Sequence, residues 1–166
     1  MRIRRASAAD IPVIMALERR ISDSAHWSPR EYEQIFYEQI SQTSGHEQPK
    51  RVAWIAEADS PTRREDLTES TAVAGFLVAH EIGSEWELEN LGVAPEARRQ
   101  GIAGRLLSEF IAHARHEHGS AIILEVRESN GAARALYIKF GFVETGVRRG
   151  YYSDPPESAI LCELRV

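Results

Sequence analysis

The chain predicts an α/β (α+β) fold: a mixed, mostly antiparallel sheet of seven strands with one parallel βαβ step at its centre, and four helices. Three observations carry that expectation. A strand at 86–93 runs through a turn broken by Pro95 into an amphipathic helix at 101–118, whose core face is made by Ile102, Leu106, Leu107, Phe110 and Ile111. A nearly continuous apolar run follows at 121–126, the mark of a strand covered on both sides. A helix of about eighteen residues between two such strands is the crossover that joins parallel neighbours.

The remaining elements follow in chain order. Residues 1–6 form a short edge strand, and Ser7 with Asp10 three residues on is a helix-entry sequence. Ile11, Ile14, Met15, Leu17 and Ile21 recur at helical spacing, giving a first helix that reaches about residue 21. Pro29 opens a second helix through 42, with Tyr32, Ile35, Phe36 and Ile40 on its apolar side. Two antiparallel strands are expected at 51–58 and 71–82. The connection at 59–70 carries six charged residues and one proline, so it reads as a solvated loop with no chemistry of its own. Gly83 and Ser84 turn the chain into the 86–93 strand. Asn130 caps a last helix that stops at Gly141. Strands at 142–152 and 158–166 then flank the turn at Asp154, Pro155 and Pro156.

Composition bounds the function. At 166 residues the chain is expected to be one domain, 1–166, with no internal repeat or linker. Hydrophobic residues make up 43% and charged residues 27%, an ordinary globular balance, and the net charge of −5 argues against nucleic acid as a partner. The lone Cys162 allows no internal disulfide, and its apolar neighbours make it a strand thiol rather than a nucleophile. No signal-peptide core and no membrane-length apolar run is seen, so a cytoplasmic protein without a membrane partner is expected. His113, His116 and His118 crowd one helix end, where a cation is welcome, and no metal is expected there.

The strand–turn–helix unit carries the first functional signal. Such a turn aims unpaired backbone N–H groups and the positive end of the helix dipole at one point, which suits a phosphate. Neither a mononucleotide P-loop nor a dinucleotide fingerprint is present. What stands there is Arg98-Arg-Gln-Gly-Ile-Ala103, an R-x-x-G-x-A pattern. Two further residues depart from the background. Glu125 lies inside the apolar strand Ile122-Ile-Leu-Glu-Val126, and it is either paired with Arg127 two residues along or turned out of a sheet edge, or it is a general base. Tyr137 lies two helical turns beyond Asn130 on the same face, either as a core residue with a satisfied hydroxyl or as a proton donor.

The R-x-x-G-x-A loop, the run Leu124-Glu-Val-Arg-Glu-Ser-Asn130, Ala135-Leu-Tyr137, Phe140-Gly-Phe142 and Arg148-Arg-Gly-Tyr-Tyr152 together resemble the Gcn5-related N-acetyltransferase (GNAT) superfamily. Within it they are most similar to the ribosomal-protein-alanine N-acetyltransferase, or RimI-like, branch. The resemblance implies the GNAT fold and acetyl-CoA as co-substrate. It implies that Leu91, Gly92 and Val93 offer backbone groups to the acetyl and pantetheine portion, and that Arg98, Arg99, Gln100, Gly101, Ile102, Ala103 and Gly104 wrap the pyrophosphate. Asn130 would bond the cofactor arm, Glu125 would be the base and Tyr137 the acid. Trp27, Tyr151 and Tyr152 would face the acceptor, a protein or peptide N-terminus, in that branch a ribosomal one. Ala97 stands where many relatives have an aromatic residue. The implied reaction is direct transfer to an α-amino group. The alternatives are a GNAT enzyme for a small amine or lysine, and a non-catalytic CoA-binding sensor.

Overall fold

The computed structural model describes residues 1–21, 28, 30–33, 51–58 and 73–166. Seven strands form one sheet: β1 Arg2–Arg5, β2 Arg51–Glu57, β3 Val73–Ile82, β4 Glu85–Val93, β5 Ala121–Arg127, β6 Val143–Ser153 and β7 Pro156–Arg165, in the order β1-β2-β3-β4-β5-β7-β6. Only β4 and β5 run parallel, joined by the crossover helix, as the apolar periodicity predicts. Among the described residues the helices are α1 Ile11–Glu18, α2 Ile102–His116 and α3 Gly131–Lys139, with residues 30–33 also helical. The body of the predicted second helix, Trp27 and the 59–70 loop lie outside the described residues.

The first helix departs from expectation at both ends. Ala8–Asp10 is a 3-10 turn, and α1 stops at Glu18 although Ile21 continues the apolar spacing. Ile21 is still buried, because the turn after α1 folds it onto the same core as Ile14 and Leu17. Asp10 fixes the entry to α1. Its carboxylate accepts from the Ser7 N–H at 2.7 Å and from Arg4 Nη1 and Nη2 at 2.9 and 2.8 Å, while Arg4 Nε donates to Glu57 on β2.

Two cores cover the two faces of the sheet. On one side α2 lays Ile102, Leu106, Leu107 and Phe110 over Trp54, Leu77, Trp86, Leu88, Ile122 and Leu124. On the other, α1 and Tyr32 cover Ile55, Phe76 and Val78. A buried contact ties that second layer to β4, with Asn90 Nδ2 donating to Glu18 Oε1 at 2.7 Å. Burial drives the Tyr32 phenol well above its ordinary pKa, and the Glu18 carboxylate adds to it.

The β4 strand carries the irregularity that matters for function. Its partners on β3 pass from Ala79↔Leu88 to Val78↔Asn90, so Glu89 is an extra residue with nothing opposite it. Such a bulge bends the strand and shifts its phase. Before it Trp86 and Leu88 face α2, and after it Leu91 and Val93 do, while Asn90 and Gly92 turn to α1. Gly92 is required there, since a Cβ would stand 2.5 Å from Phe76 Cε1 and 2.8 Å from Ile21 Cδ1.

The Arg4 guanidinium and the Ser7 bonds hold the Asp10 carboxyl down at about 2, against an ordinary value of 3.8. A depressed carboxylate contributes stability that is complete above the unfolded value and lost as pH falls through the folded one. Asp10→Asn is therefore expected to be less stable than the parent at neutral pH, with the difference closing between pH 4 and 2. Urea midpoints measured across that range test it.

Candidate active site

The β4–β5 ladder runs only from Glu85↔Ala121 to Leu88↔Leu124. Both strands continue past it, β4 against β3 up to Gly75↔Val93 and β5 against β7 up to Arg127↔Ala159. Past the Glu89 bulge the two strands part, and among the described residues no ladder joins Leu91, Gly92 and Val93 to Glu125, Val126 and Arg127. The result is a wedge through the sheet, edged by backbone N–H and C=O groups that a guest can use.

At the mouth of the wedge, on the α2 side, lies the R-x-x-G-x-A turn. Arg99 and Gly101 both have left-handed backbone, with φ of 64° and 78°, and Gly101 caps α2 without a side-chain bond. Alternating handedness of this kind turns successive N–H groups into one concavity. The N–H of Arg105 donates to the Gly101 carbonyl at 3.0 Å, so the N–H groups of Ile102, Ala103 and Gly104 precede the helical ladder. Arg98, Arg99 and Gln100 are exposed, and Arg98 Nε reaches back to the Val93 carbonyl at 3.5 Å. Ile102 is buried and anchors the turn, while Gly104 abuts Phe140 of α3's C-terminal cap. Asn130 Oδ1 accepts the Ala133 N–H at 3.1 Å, which makes it the α3 cap.

Glu125 and Tyr137 stand on opposite faces of β5. Leu124 and Val126 point into the α2 core, so Glu125 projects to the other side. Its partner is Arg148, with Nη1 at 3.0 Å from Oε1. Arg127, the partner that sequence proximity indicated, is held elsewhere: it bonds Glu157 and the carbonyls of Asp154 and Pro155, and stacks 4.0 Å over the Tyr152 ring. Glu157 also accepts the Ser129 N–H, which locks the β6–β7 turn against the entry to α3. Tyr137 is buried, packed 5.6 Å from Phe142 in the core that holds Cys162, the cross-strand partner of Leu124. Burial first, then Cys162 and Tyr152, drive its pKa well up, so the phenol keeps its proton. Burial likewise raises the Cys162 thiol and makes a thiolate there unfavourable.

Tyr151 and Tyr152 link the two faces. Their rings meet edge to face at 5.1 Å, and Tyr151 is 47% exposed. The pKa of the Tyr151 phenol is raised, first by Glu125 and then by burial. Tyr152 is half-buried and its pKa is also raised, chiefly by burial.

The sequence reading missed the polar strip around Glu125. Arg51, His80 and Glu87 lie across β2, β3 and β4 in direct register, and Arg51 bonds Glu89 at 3.1 Å. Glu87 is the direct partner of Ile123, two residues from Glu125 on the same face. Burial raises the Glu87 pKa, with Glu89 and Glu125 adding to it. The signal was there in the alternation Glu85-Trp86-Glu87-Leu88-Glu89.

The model of the acetyltransferase (GNAT) family matches residues 15–142. The chain belongs to the GNAT family. Among its relatives, the [ribosomal protein bS18]-alanine N-acetyltransferase of Escherichia coli K12 is 37% identical over 102 residues, 60% of this chain and 69% of that protein. The crystal structure of the Escherichia coli ribosomal-protein-S18-alanine N-acetyltransferase superposes with a TM-score of 0.74 at 27% identity, covering 99% of this chain and 93% of that one. Arabidopsis thaliana NAA60 in complex with acetyl-CoA shares the GNAT fold, with a TM-score of 0.79 at 18% identity over 99% of this chain and 98% of that one. The protein is an acetyltransferase, and acetyl-CoA is its acyl donor. Among the described residues no helix is long and apolar enough to cross a membrane.

A side chain at Gly101 has to adopt φ near +78°, a conformation that costs an L-residue about 1–2 kcal/mol. Gly101→Ala is expected to weaken CoA by roughly ten-fold, as the turn relaxes away from its phosphate-binding shape. Calorimetric titration with CoA measures this without catalysis.

Proposed function

We propose that the chain is an acetyl-CoA-dependent N-α-acetyltransferase, a single catalytic domain that acetylates the amino terminus of a protein, with an N-terminal alanine of a ribosomal protein as acceptor. The observation that carries this reading is the likeness to the bS18-alanine acetyltransferases, which spans more than two thirds of the Escherichia coli enzyme. A cytoplasmic setting accords with a lone buried cysteine.

The donor fits what the chain offers. The Arg98–Gly104 turn would hold the pyrophosphate on the N–H groups of Ile102, Ala103 and Gly104, with Arg98, Arg99 and Gln100 around it. Leu91, Gly92 and Val93 would take the pantetheine arm along the open β4 edge, and Asn130 would bond that arm through the amide nitrogen left over from capping α3. Bound there, acetyl-CoA supplies an activated acyl group. The wedge between β4 and β5 reaches both faces of the sheet, which gives the two titrating residues separate tasks. Glu125 takes the proton from the acceptor amine on one face, directly or through a water. Tyr137, kept protonated by burial, gives its proton to the departing sulfur from the other. The Val93 N–H is the donor best set to bond the carbonyl oxygen as it gains charge. Nitrogen–carbon bond formation and carbon–sulfur cleavage leave an amide and a free CoA thiol. Cys162 takes no part, because its protonated thiol is enclosed in β7. Trp27, Tyr151 and Tyr152 would border the acceptor's first residues.

An α-amino acceptor suits a single carboxylate base. With a pKa near ~8, roughly a tenth of an N-terminus is already neutral at pH 7, whereas for lysine, near ~10.4, the neutral fraction is about 0.04%. The difference is a handicap of about 3 kcal/mol for the side chain.

Glu125→Gln is expected to lower kcat about 10²- to 10⁴-fold, and Tyr137→Phe to lower it about 10²-fold. Thiol release should be followed with an alanine-first peptide and a matched N-blocked peptide that carries a lysine. A Glu125→Gln variant at full rate removes the base assignment, and faster turnover of the lysine peptide removes the N-terminal one.

A further inference from the structure

The carboxylate on β5 does not stand open. Arg148 Nη1 lies 3.0 Å from Glu125 Oε1 in an ion pair, and the same guanidinium lies 5.0 Å over the ring of Tyr151. Only 20% of the Glu125 side chain is exposed, whereas Arg148 is 55% exposed. The cation therefore stands on the solvent side of the anion.

The strand that carries Arg148 is built with slack. Between Arg148↔Ala159 and Tyr152↔Glu157, β6 advances four residues while β7 advances two. The surplus arches out of the ladder at Arg149, Gly150 and Tyr151, with Gly150 at φ +60°. Arg148 thus stands at the foot of the bulge and Tyr151 within it, where the bent strand re-aims their side chains.

The surroundings of Glu125 also require a cation. Glu87 lies on the same face and its pKa is raised in part by Glu125, while Arg51 is committed to Glu89. Withdrawing Arg148 with nothing in its place would leave two part-buried carboxylates facing one another, which is unfavourable. An incoming N-terminus is predominantly an ammonium at neutral pH and restores the missing charge.

We propose that Arg148 is a placeholder for the acceptor's α-ammonium: it occupies Glu125 in the resting enzyme and exchanges with the peptide N-terminus on binding. The inference rests on the reading of Glu125 as the base. The exchange is cation for cation, and Arg148, 55% exposed, can withdraw its guanidinium into solvent as the ammonium arrives. The ammonium gives one proton to Glu125, which passes it to solvent, and after transfer the acetylated terminus carries no charge, so Arg148 recovers the freed carboxylate and the product is released. Arg148 is in this sense a positioning residue that acts on the acceptor through the base.

The test uses the full-length protein with Arg148→Ala and Arg148→Lys, an alanine-first peptide, and methylguanidinium as an added cation. Arg148→Ala is expected to lower the peptide KM about two- to five-fold, because the acceptor no longer has to displace a partner, and Arg148→Lys to keep the parent value. Methylguanidinium should inhibit Arg148→Ala competitively against the peptide, at concentrations that leave the parent enzyme unaffected. A KM that rises in Arg148→Ala and is restored by lysine makes Arg148 a direct peptide ligand and overturns the proposal, as does equal sensitivity of both enzymes to methylguanidinium. Glu125→Gln separates the two levels. If it keeps the parent kcat, the base assignment falls and the placeholder with it; if it loses kcat while Arg148→Ala leaves KM and inhibition unchanged, the placeholder alone falls.

Discussion

One extra residue in β4 governs the site. Glu89 has no opposite number on β3, and the bend it forces takes the second half of β4 out of reach of β5. Without that bend the central parallel pair would pair along its length, and its backbone groups would be satisfied by each other. With it, the sheet opens where the crossover helix begins, so the open strand edges and the first-turn amides of α2 border the same space. The bulge also explains two local choices. Leu91 and Val93 can reach the α2 core only because the phase has shifted, and Gly92 is pressed against Phe76 and Ile21 for the same reason.

The charges divide along the two faces that the wedge connects. On the α2 and α3 side Tyr137 and Cys162 are both held protonated by burial. On the other side a strip of acids and bases crosses the sheet, with Arg51 balancing Glu89, and Arg148 balancing Glu125. A proton donor is thus kept in a dry environment, while the proton acceptor is kept where water and an amine can approach. The same β5 strand supplies both environments by simple alternation, since Leu124 and Val126 belong to one and Glu125 to the other.

Much of this was legible in the chain. The apolar periods placed all seven strands and the crossover, Asn130 capped α3 as its type predicts, and Gly141 stopped that helix with φ of 91°. The phosphate-suited turn was recognisable because its geometry is local: glycine at a left-handed position and small residues entering a helix. The partner of Glu125 was not recognisable. Arg127 is two residues away on the same face, yet it is drawn to the β6–β7 turn by Glu157 and two carbonyls, and Arg148 arrives from a strand twenty-three residues downstream. The shift in β4 left a trace, apolar residues at 86 and 88 and then at 91 and 93, which period-two reading alone takes for an unbroken strand.

The sequence by itself determined which segments become strands and helices, where the turn for a phosphate lies, and which side chains carry titratable groups, because each of these depends on neighbours a few positions away. Only the tertiary structure decided that β4 and β5 separate, that Glu125 and Tyr137 look out on opposite faces, and that Arg148 covers the carboxylate. Those outcomes depend on ladder register and on competition among distant charges, and a register shift of one residue reverses the face of every side chain beyond it.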